Sequence, residues 1–165
     1  MIITVEKLTG INLMRKACEA TMRGQESKMT LSKIYKSEHS PLRTQIFWVS
    51  MQGIPTFVSV HLVRHKIGVD HFVMSNREDR GGTGTEDRYT PVNHSMLINA
   101  QALINISRKR LCGQASKETQ DVWKAVVERM WIADYELAKY MVRECQYRNG
   151  YCPEIKCCGN LWRRT

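Results

Sequence analysis

The feature that most limits what this chain can fold into is a helical stripe in its last third. Trp123, Val126, Val127, Met130, Leu137 and Met141 recur at the spacing that puts side chains on one helix face. Ser116 is a suitable N-cap, so the pattern predicts a helix from there to about Val142. Such a stripe is most simply core. A second helical pattern covers residues 11–22, with apolar residues at 11, 13, 14, 18 and 22. A short third one runs from Thr30 to Lys36. It ends before the turn at His39–Pro41, because the residue preceding a proline is pushed out of the α region. Residues 94–111 also read as helix, closed by Cys112-Gly113.

Strand signals are fewer. Residues 2–5 (IITV) and 45–51 (QIFWVSM) are rich in β-branched and aromatic side chains. Residues 56–63 (TFVSVHLV) leave two readings open. Their β-branched content and alternation favour a strand, whereas Pro55 suits the first turn of a helix. As a helix, the stretch aims Phe57, His61, Arg64, His65 and Gly68 from one face. Residues 77–91 are polar and Gly-rich, which marks a loop. Within it Gly81-Gly82-Thr83-Gly84 has neither the preceding strand nor the Gly-Lys-Ser/Thr ending of a phosphate loop, so it reads as a flexible segment. The stretch from Arg143, with Gly150, Pro153 and Gly159, reads as irregular. The chain shows no repeat and no linker, and its 165 residues suffice for one domain with a proper core.

With 25 Lys and Arg against 16 Asp and Glu, the net charge is +9, which favours anionic partners. Nucleic acid, nucleotides and pyrophosphates all satisfy it. Aromatic residues are only 8% of the chain, and no RRM, KH, OB or zinc-finger pattern is present, so a basic nucleic-acid-binding module is the weaker reading. No apolar run approaches the ~18 residues of a membrane span. The opening MIITVEKL lacks the marks of a signal peptide, so a cytoplasmic location is expected, that of the host if the protein is viral. In that reducing setting, Cys145, Cys152, Cys157 and Cys158 are candidates for a structural zinc site, although their spacing departs from the usual paired units. Free or disulfide-forming thiols are the alternative. His39, His71 and His94 read as local hydrogen-bonding residues.

Two clusters carry potential chemistry. Asn99, Leu103, Ile106 and Arg110 share one helix face, polar at both ends and apolar between. They frame a core stripe at its solvent edges, or they line a pocket in which Arg110 grips an anion with its planar fork. The other cluster is Arg64-His65-Lys66, tethered directly to the apolar stretch before it and followed after eight residues by Ser75-Asn76-Arg77.

Together these segments resemble the flavin-dependent thymidylate synthases. HLVRHK, eight residues and SNR are similar to that family's Arg-His-Arg signature and its following Ser-x-Arg. Residues 38–43 (EHSPLR), 54–66 (IPTFVSVHLVRHK), 99–110 (NAQALINISRKR) and 115–119 (ASKET) resemble further family segments in the same order, over about residues 10–145. There are departures: Lys66 replaces an Arg, Arg43-Thr44 stands where a His is common, and His61 stands where a Gln is usual. The spacer before the later helix is short, as in a compact, divergent, phage-type member.

The resemblance implies an α+β fold with a central, mostly antiparallel sheet flanked by helices. It implies a catalytic domain over residues 1–144, with residues 145–165 as a Cys-rich tail of the same domain. It also decides the open stretch, making 55–65 a helix. The implied activity is methylation of dUMP, or a related C5 modification of another pyrimidine nucleotide; a non-catalytic nucleotide-binding relative is the further alternative. FAD is the implied cofactor, with NADPH and methylenetetrahydrofolate as co-substrates, in a homotetramer whose sites lie at subunit interfaces. By position, Arg64, His65, Lys66, Asn99 and Asn105 would hold the flavin. His61, Arg64, Ser75, Arg77 and Arg110 would bind the nucleotide, with Arg110 and Ser75 in catalytic roles.

Overall fold

A computed structural model describes residues 1–85 and 87–159; the end of the expected tail, residues 160–165, lies outside the described residues. Four strands form one antiparallel sheet in the order β1-β2-β4-β3: β1 (Ile2–Lys7), β2 (Ile46–Pro55), β3 (Val69–Val73) and β4 (Pro91–Asn99). The helices are α1 (Ile11–Glu19), α2 (Leu31–Ser37), α3 (Thr56–Val63), α4 (Ala100–Arg110), α5 (Lys117–Ala133), α6 (Tyr135–Ala138) and α7 (Glu144–Tyr147). Short 3₁₀ turns occupy Ser40–Thr44 and Glu78–Arg80. The fold is therefore α+β with a central antiparallel sheet.

Alternation along β2 sends Phe47, Val49 and Met51 into the core, where they meet Met96 and Ile98 of β4 and Leu103, Trp123, Val126 and Met130 of the helices. The opposite sheet face carries Trp48 and Phe72, with ring centroids 5.4 Å apart, and Phe72 is half exposed. A bulge between Met51 and Ile54 sets two residues of β2 against one of β4. Gly53 takes the required positive φ of 69°, and Asn93 Oδ1 accepts its N–H. The extra residue turns Ile54 inward and feeds the chain directly into α3.

The stretch at 56–63 is a helix despite its β-branched composition. The first two N–H groups of α3 donate to the carbonyls of Thr90 and Arg88, at 3.0 and 3.1 Å, so the helix start is satisfied by neighbouring backbone. Phe57, Val58, Ser59 and Leu62 are buried. Burial on several sides outweighs the modest propensity penalty of valine.

Several sequence-based boundaries need correction. Residues 94–99 belong to a strand, not to the helix predicted over 94–111. Val92, His94, Met96 and Ile98 alternate into the core, and the helix begins only after Asn99. The first helix stops at Glu19, short of residue 22. The helix expected to reach Val142 breaks at Asp134. That buried carboxylate accepts from Lys7 Nζ (2.6 Å), Tyr35 Oη (2.8 Å) and the N–H of Leu137 (3.1 Å), which caps α6 and prevents α5 from running on. Burial and the adjacent Asp134 push the Tyr35 phenol far above its ordinary range, so it stays a donor. The Gly-rich segment is not a free loop. Asn76 takes the N–H of Thr83, gives Nδ2–H to the Thr85 carbonyl at 2.7 Å, and accepts Gly84 N–H on its own carbonyl.

Candidate functional site

The site is built where the end of α3 meets the end of α4. After α3 the chain turns through Arg64-His65-Lys66-Ile67-Gly68 into β3. The His65 N–H donates to Leu62 O at 3.0 Å and closes the helix. Gly68 has φ of +75°, and the Asn99 side chain fills the space that a Cβ would need. Asn99 N–H donates to Gly68 O, while Asn99 Oδ1 accepts from Ala102 N–H and caps α4. One asparagine thus holds the basic turn and starts the helix that ends in Arg110.

Arg110 reaches back across this arrangement. Its Nε donates to His65 Nε2 at 2.9 Å, and its Nη2 donates to the His61 carbonyl at 2.6 Å. These bonds use two of the five guanidinium N–H donors and leave a fork for an anion. Burial, then the Arg64 charge, lowers the Arg110 pKa from its ordinary value. Burial, followed by Arg110 and His71, lowers His65 to about 4. His65 is therefore neutral at physiological pH. Its Nε2 accepts, so its proton resides on Nδ1.

His61 stands beside this pair and bonds Thr119 Oγ1 through Nδ1 at 3.0 Å. Burial, and then the charges of Arg110, Arg64 and Arg88, hold it below its usual range. Arg88 was not singled out from the sequence. Its guanidinium carbon lies 4.6 Å from the Phe57 ring centroid and 5.3 Å from that of Tyr89. It is brought there by the same backbone bonds that start α3. Among the described residues, none of Arg64, Arg88 and Arg110 is paired with a carboxylate. The only sequence signal for Arg88 was its aromatic neighbour Tyr89, which is weak alone.

A cleft of about 360 Å³ opens alongside, lined by Arg64, His65, Lys66, Asn105 and the apolar Ile67, Ala102 and Ile106. Four of the five residues expected to hold a flavin thus share one cavity, with Asn99 behind them as the cap. Asn105 Oδ1 accepts from Gln101 Nε2 at 3.2 Å.

Ser75 and Arg77 lie elsewhere on this chain. Arg77 forms a two-pronged ion pair with Asp79, both bonds at 2.8 Å, and Ser75 Oγ accepts the Arg77 N–H. They lie on the loop segment pinned by Asn76, so the third guanidinium gathered with Arg64 and Arg110 is Arg88, not Arg77. Cys145 is buried in α7, Cys152 and Cys158 are part-buried and Cys157 is exposed; all are unpaired thiols. Among the described residues, no three His, Cys, Asp or Glu side chains are gathered to hold a metal, which gives the expected zinc site no support. No helix among them is long and apolar enough to cross a membrane.

No protein-family model and no curated protein matches this sequence. Solved structures do match its fold. Thymidylate synthase X (ThyX) from Helicobacter pylori with FAD and dUMP superposes with a TM-score of 0.60 at 15% identity, covering 84% of this chain and 100% of that one. Another structure of that flavin-dependent enzyme, complexed with FAD and dUMP, gives 0.67 at 14% identity over 87% and 100% of the two chains. The UMP/dUMP methylase PolB from Streptomyces cacaoi, bound with 5-Br dUMP, gives 0.60 at 14% identity over 84% and 94%. The chain has the ThyX-like fold.

Proposed function

We propose that this chain is a flavin-dependent enzyme that methylates dUMP at C5 to give dTMP, with methylenetetrahydrofolate as carbon donor and NADPH as reductant. The grouping of Arg64, Arg88 and Arg110 around His61, beside the cleft of Arg64, His65, Lys66 and Asn105, carries the reading. It occurs in a fold that in H. pylori ThyX is seen with FAD and dUMP, and in S. cacaoi PolB with 5-Br dUMP.

The cleft suits FAD. Arg64 and Lys66 supply charge for a pyrophosphate, Asn105 supplies an exposed amide, and Ile67, 91% exposed, offers an apolar surface. Bound FAD would supply the redox and methylene-transfer chemistry. The chain's own residues bind and polarise. Arg110 is held by His65 and the His61 carbonyl before substrate arrives, so its charge is preorganised to stabilise the negative charge that develops on the pyrimidine as C5 becomes nucleophilic. Arg88 and Arg64 fit the nucleotide phosphate, with His61 beside them.

The assembly reading is a homotetramer. Among the described residues the sheet face bearing Trp48 and Phe72 has no helical layer, and Phe72 and Met74 are 52% and 46% exposed. In such an assembly, Ser75 and Arg77 would complete the nucleotide site from a neighbouring subunit.

The test is direct. The protein should keep flavin absorbance through gel filtration, shift it on adding dUMP, and yield a product heavier by the mass of one CH₂ when given FAD, NADPH and methylenetetrahydrofolate. Failure to take up FAD, or uptake without product from any pyrimidine monophosphate, overturns the reading.

A further inference from the structure

Behind the basic turn lies a partly buried chain of hydrogen bonds that the proposed chemistry does not use. Ser59 Oγ lies 2.9 Å from His94 Nδ1, His94 Nε2 lies 2.9 Å from His71 Nδ1, and His71 Nε2 lies 2.7 Å from the His65 carbonyl. His94 is fully buried and Ser59 is buried, so these groups have no water to fall back on. Three elements meet here: Ser59 on α3, His71 on β3 and His94 on β4.

The direction of the chain follows from its end. A carbonyl only accepts, so His71 Nε2 carries hydrogen. A neutral His71 then has a bare Nδ1, which requires hydrogen on His94 Nε2. His94 Nδ1 is then bare and accepts the Ser59 hydroxyl. Every hydrogen points from Ser59 towards His65.

We infer that His71 and His94 are positioning residues: together they force the His71 tautomer that grips the His65 carbonyl, and so hold the Arg64–Lys66 turn against Arg110. The His65 residue is thereby clamped at its carbonyl by His71 and at its ring by Arg110. One added proton does not break the clamp. It enters between the two rings, His94 switches its hydrogen to Nδ1, and Ser59 becomes the acceptor; His71 keeps its Nε2–H on the carbonyl. A second proton would set two N–H groups against each other across 2.9 Å and separate the rings.

The groups packed against the pair are the neutral His65 ring at the α3–β3 turn and, bonded to that ring, the Arg110 guanidinium of α4. Asp70 and Phe72 alternate to the opposite sheet face. Burial, then His71, holds His94 at about 4, so the doubly protonated state is reached only near pH 4 and below.

The variants separate this role from simple packing. His94→Gln retains an N–H for His71 and an oxygen for Ser59. His94→Leu removes the hydrogen that dictates the His71 tautomer, leaving His71 free to bare its Nε2. Protonated His71 always carries Nε2–H, so in H94L the grip should return in acid.

The experiment measures hydrogen exchange at the His65 amide, whose bond to Leu62 O reports the turn, together with imidazole ¹⁵N shifts, in the full chain without ligand. Wild type and H94Q should show His71 as the Nε2–H tautomer and His65 protection that does not rise as pH falls from 8 to 5. H94L should lose protection about tenfold at pH 8 and regain it at pH 5. An Nδ1–H tautomer of His71 in the wild type, or equal protection in H94L at both pH values, overturns the inference. Should H94L fail to fold, H71A against wild type decides: unchanged His65 exchange is a refutation.

The functional consequence rests on the flavin reading and is tested by FAD titration. H71A should weaken FAD about tenfold. Equal FAD affinity in wild type and H71A overturns the positioning role. A wild type that takes up no FAD, but shows the exchange pattern, refutes the flavin reading and leaves the clamp standing.

Discussion

The guanidinium of Arg110 meets the imidazole of His65 at 2.9 Å, although the two residues are 45 positions apart. The bond requires a neutral ring and a charged arginine at once. Burial, and then the Arg110 charge, keep the ring neutral. The pair thus presents one fixed cation where the sequence placed two candidate ones.

Arg110→Ala should lower turnover about 10²–10³-fold, the usual effect of removing a preorganised donor. The circular dichroism spectrum should be unchanged, since Arg110 is only half-buried at the end of α4. Arg110→Lys should recover little, because an ammonium lacks the planar fork that spans His65 and the His61 carbonyl.

Arg88→Ala should raise the dUMP dissociation constant at least tenfold, as loss of a charged hydrogen-bond donor does. Arg77→Ala should have a smaller effect, because Asp79 already engages that guanidinium. Isothermal titration of both variants checks the order. A larger loss in R77A would mean that the nucleotide is held chiefly from a neighbouring subunit.

Stability should fall with acid between about pH 6.5 and 4. His65 and His94 are each held at about 4 in the folded chain, against 6.5 when unfolded. Below 6.5 the unfolded chain binds protons that the native one refuses, so the equilibrium shifts towards unfolding until both states are protonated. The full contribution is present above pH 6.5. Thermal melts across this range should show a shallower slope in His94→Gln than in the wild type.

Asp134→Ala should destabilise the fold by about 3 kcal/mol, because Lys7, Tyr35 and the start of α6 lose one shared acceptor. Tyr35→Phe should cost only about 1 kcal/mol, since the carboxylate keeps its other donors. Urea denaturation of the two variants measures the difference.

Gly68→Ala should cost about 2 kcal/mol and loosen FAD, since its φ of +75° and the neighbouring Asn99 side chain both exclude a Cβ. Adding Asn99→Ala relieves the collision but not the backbone strain, and it removes the α4 cap. The double variant should therefore remain less stable than the wild type.

Local chemistry was legible without a structure. The stripe of Trp123, Val126 and Met130 specified α5, Ser116 capped it, and the β-branched QIFWVSM run specified the central strand. The basic triplet after an apolar segment marked one wall of the cleft, and Arg110 at the end of a later helix bonds the His65 ring of that wall. These signals depend on neighbours a few residues away, which the chain itself supplies.

Other features depended on partners that only folding brings close. Residues 94–99 end in an apolar run that merges with α4, and their strand character comes from pairing with β2 on one side and β3 on the other. The break at Asp134 needs Lys7 and Tyr35 from the far end of the chain. Arg88 joins the basic cluster because the N–H groups opening α3 seek the carbonyls of residues 88 and 90. Periodicity is written along the backbone and can be read there. Which charges end up facing one another is set by register, bulge and capping across the sheet, and those are decided when the strands pair.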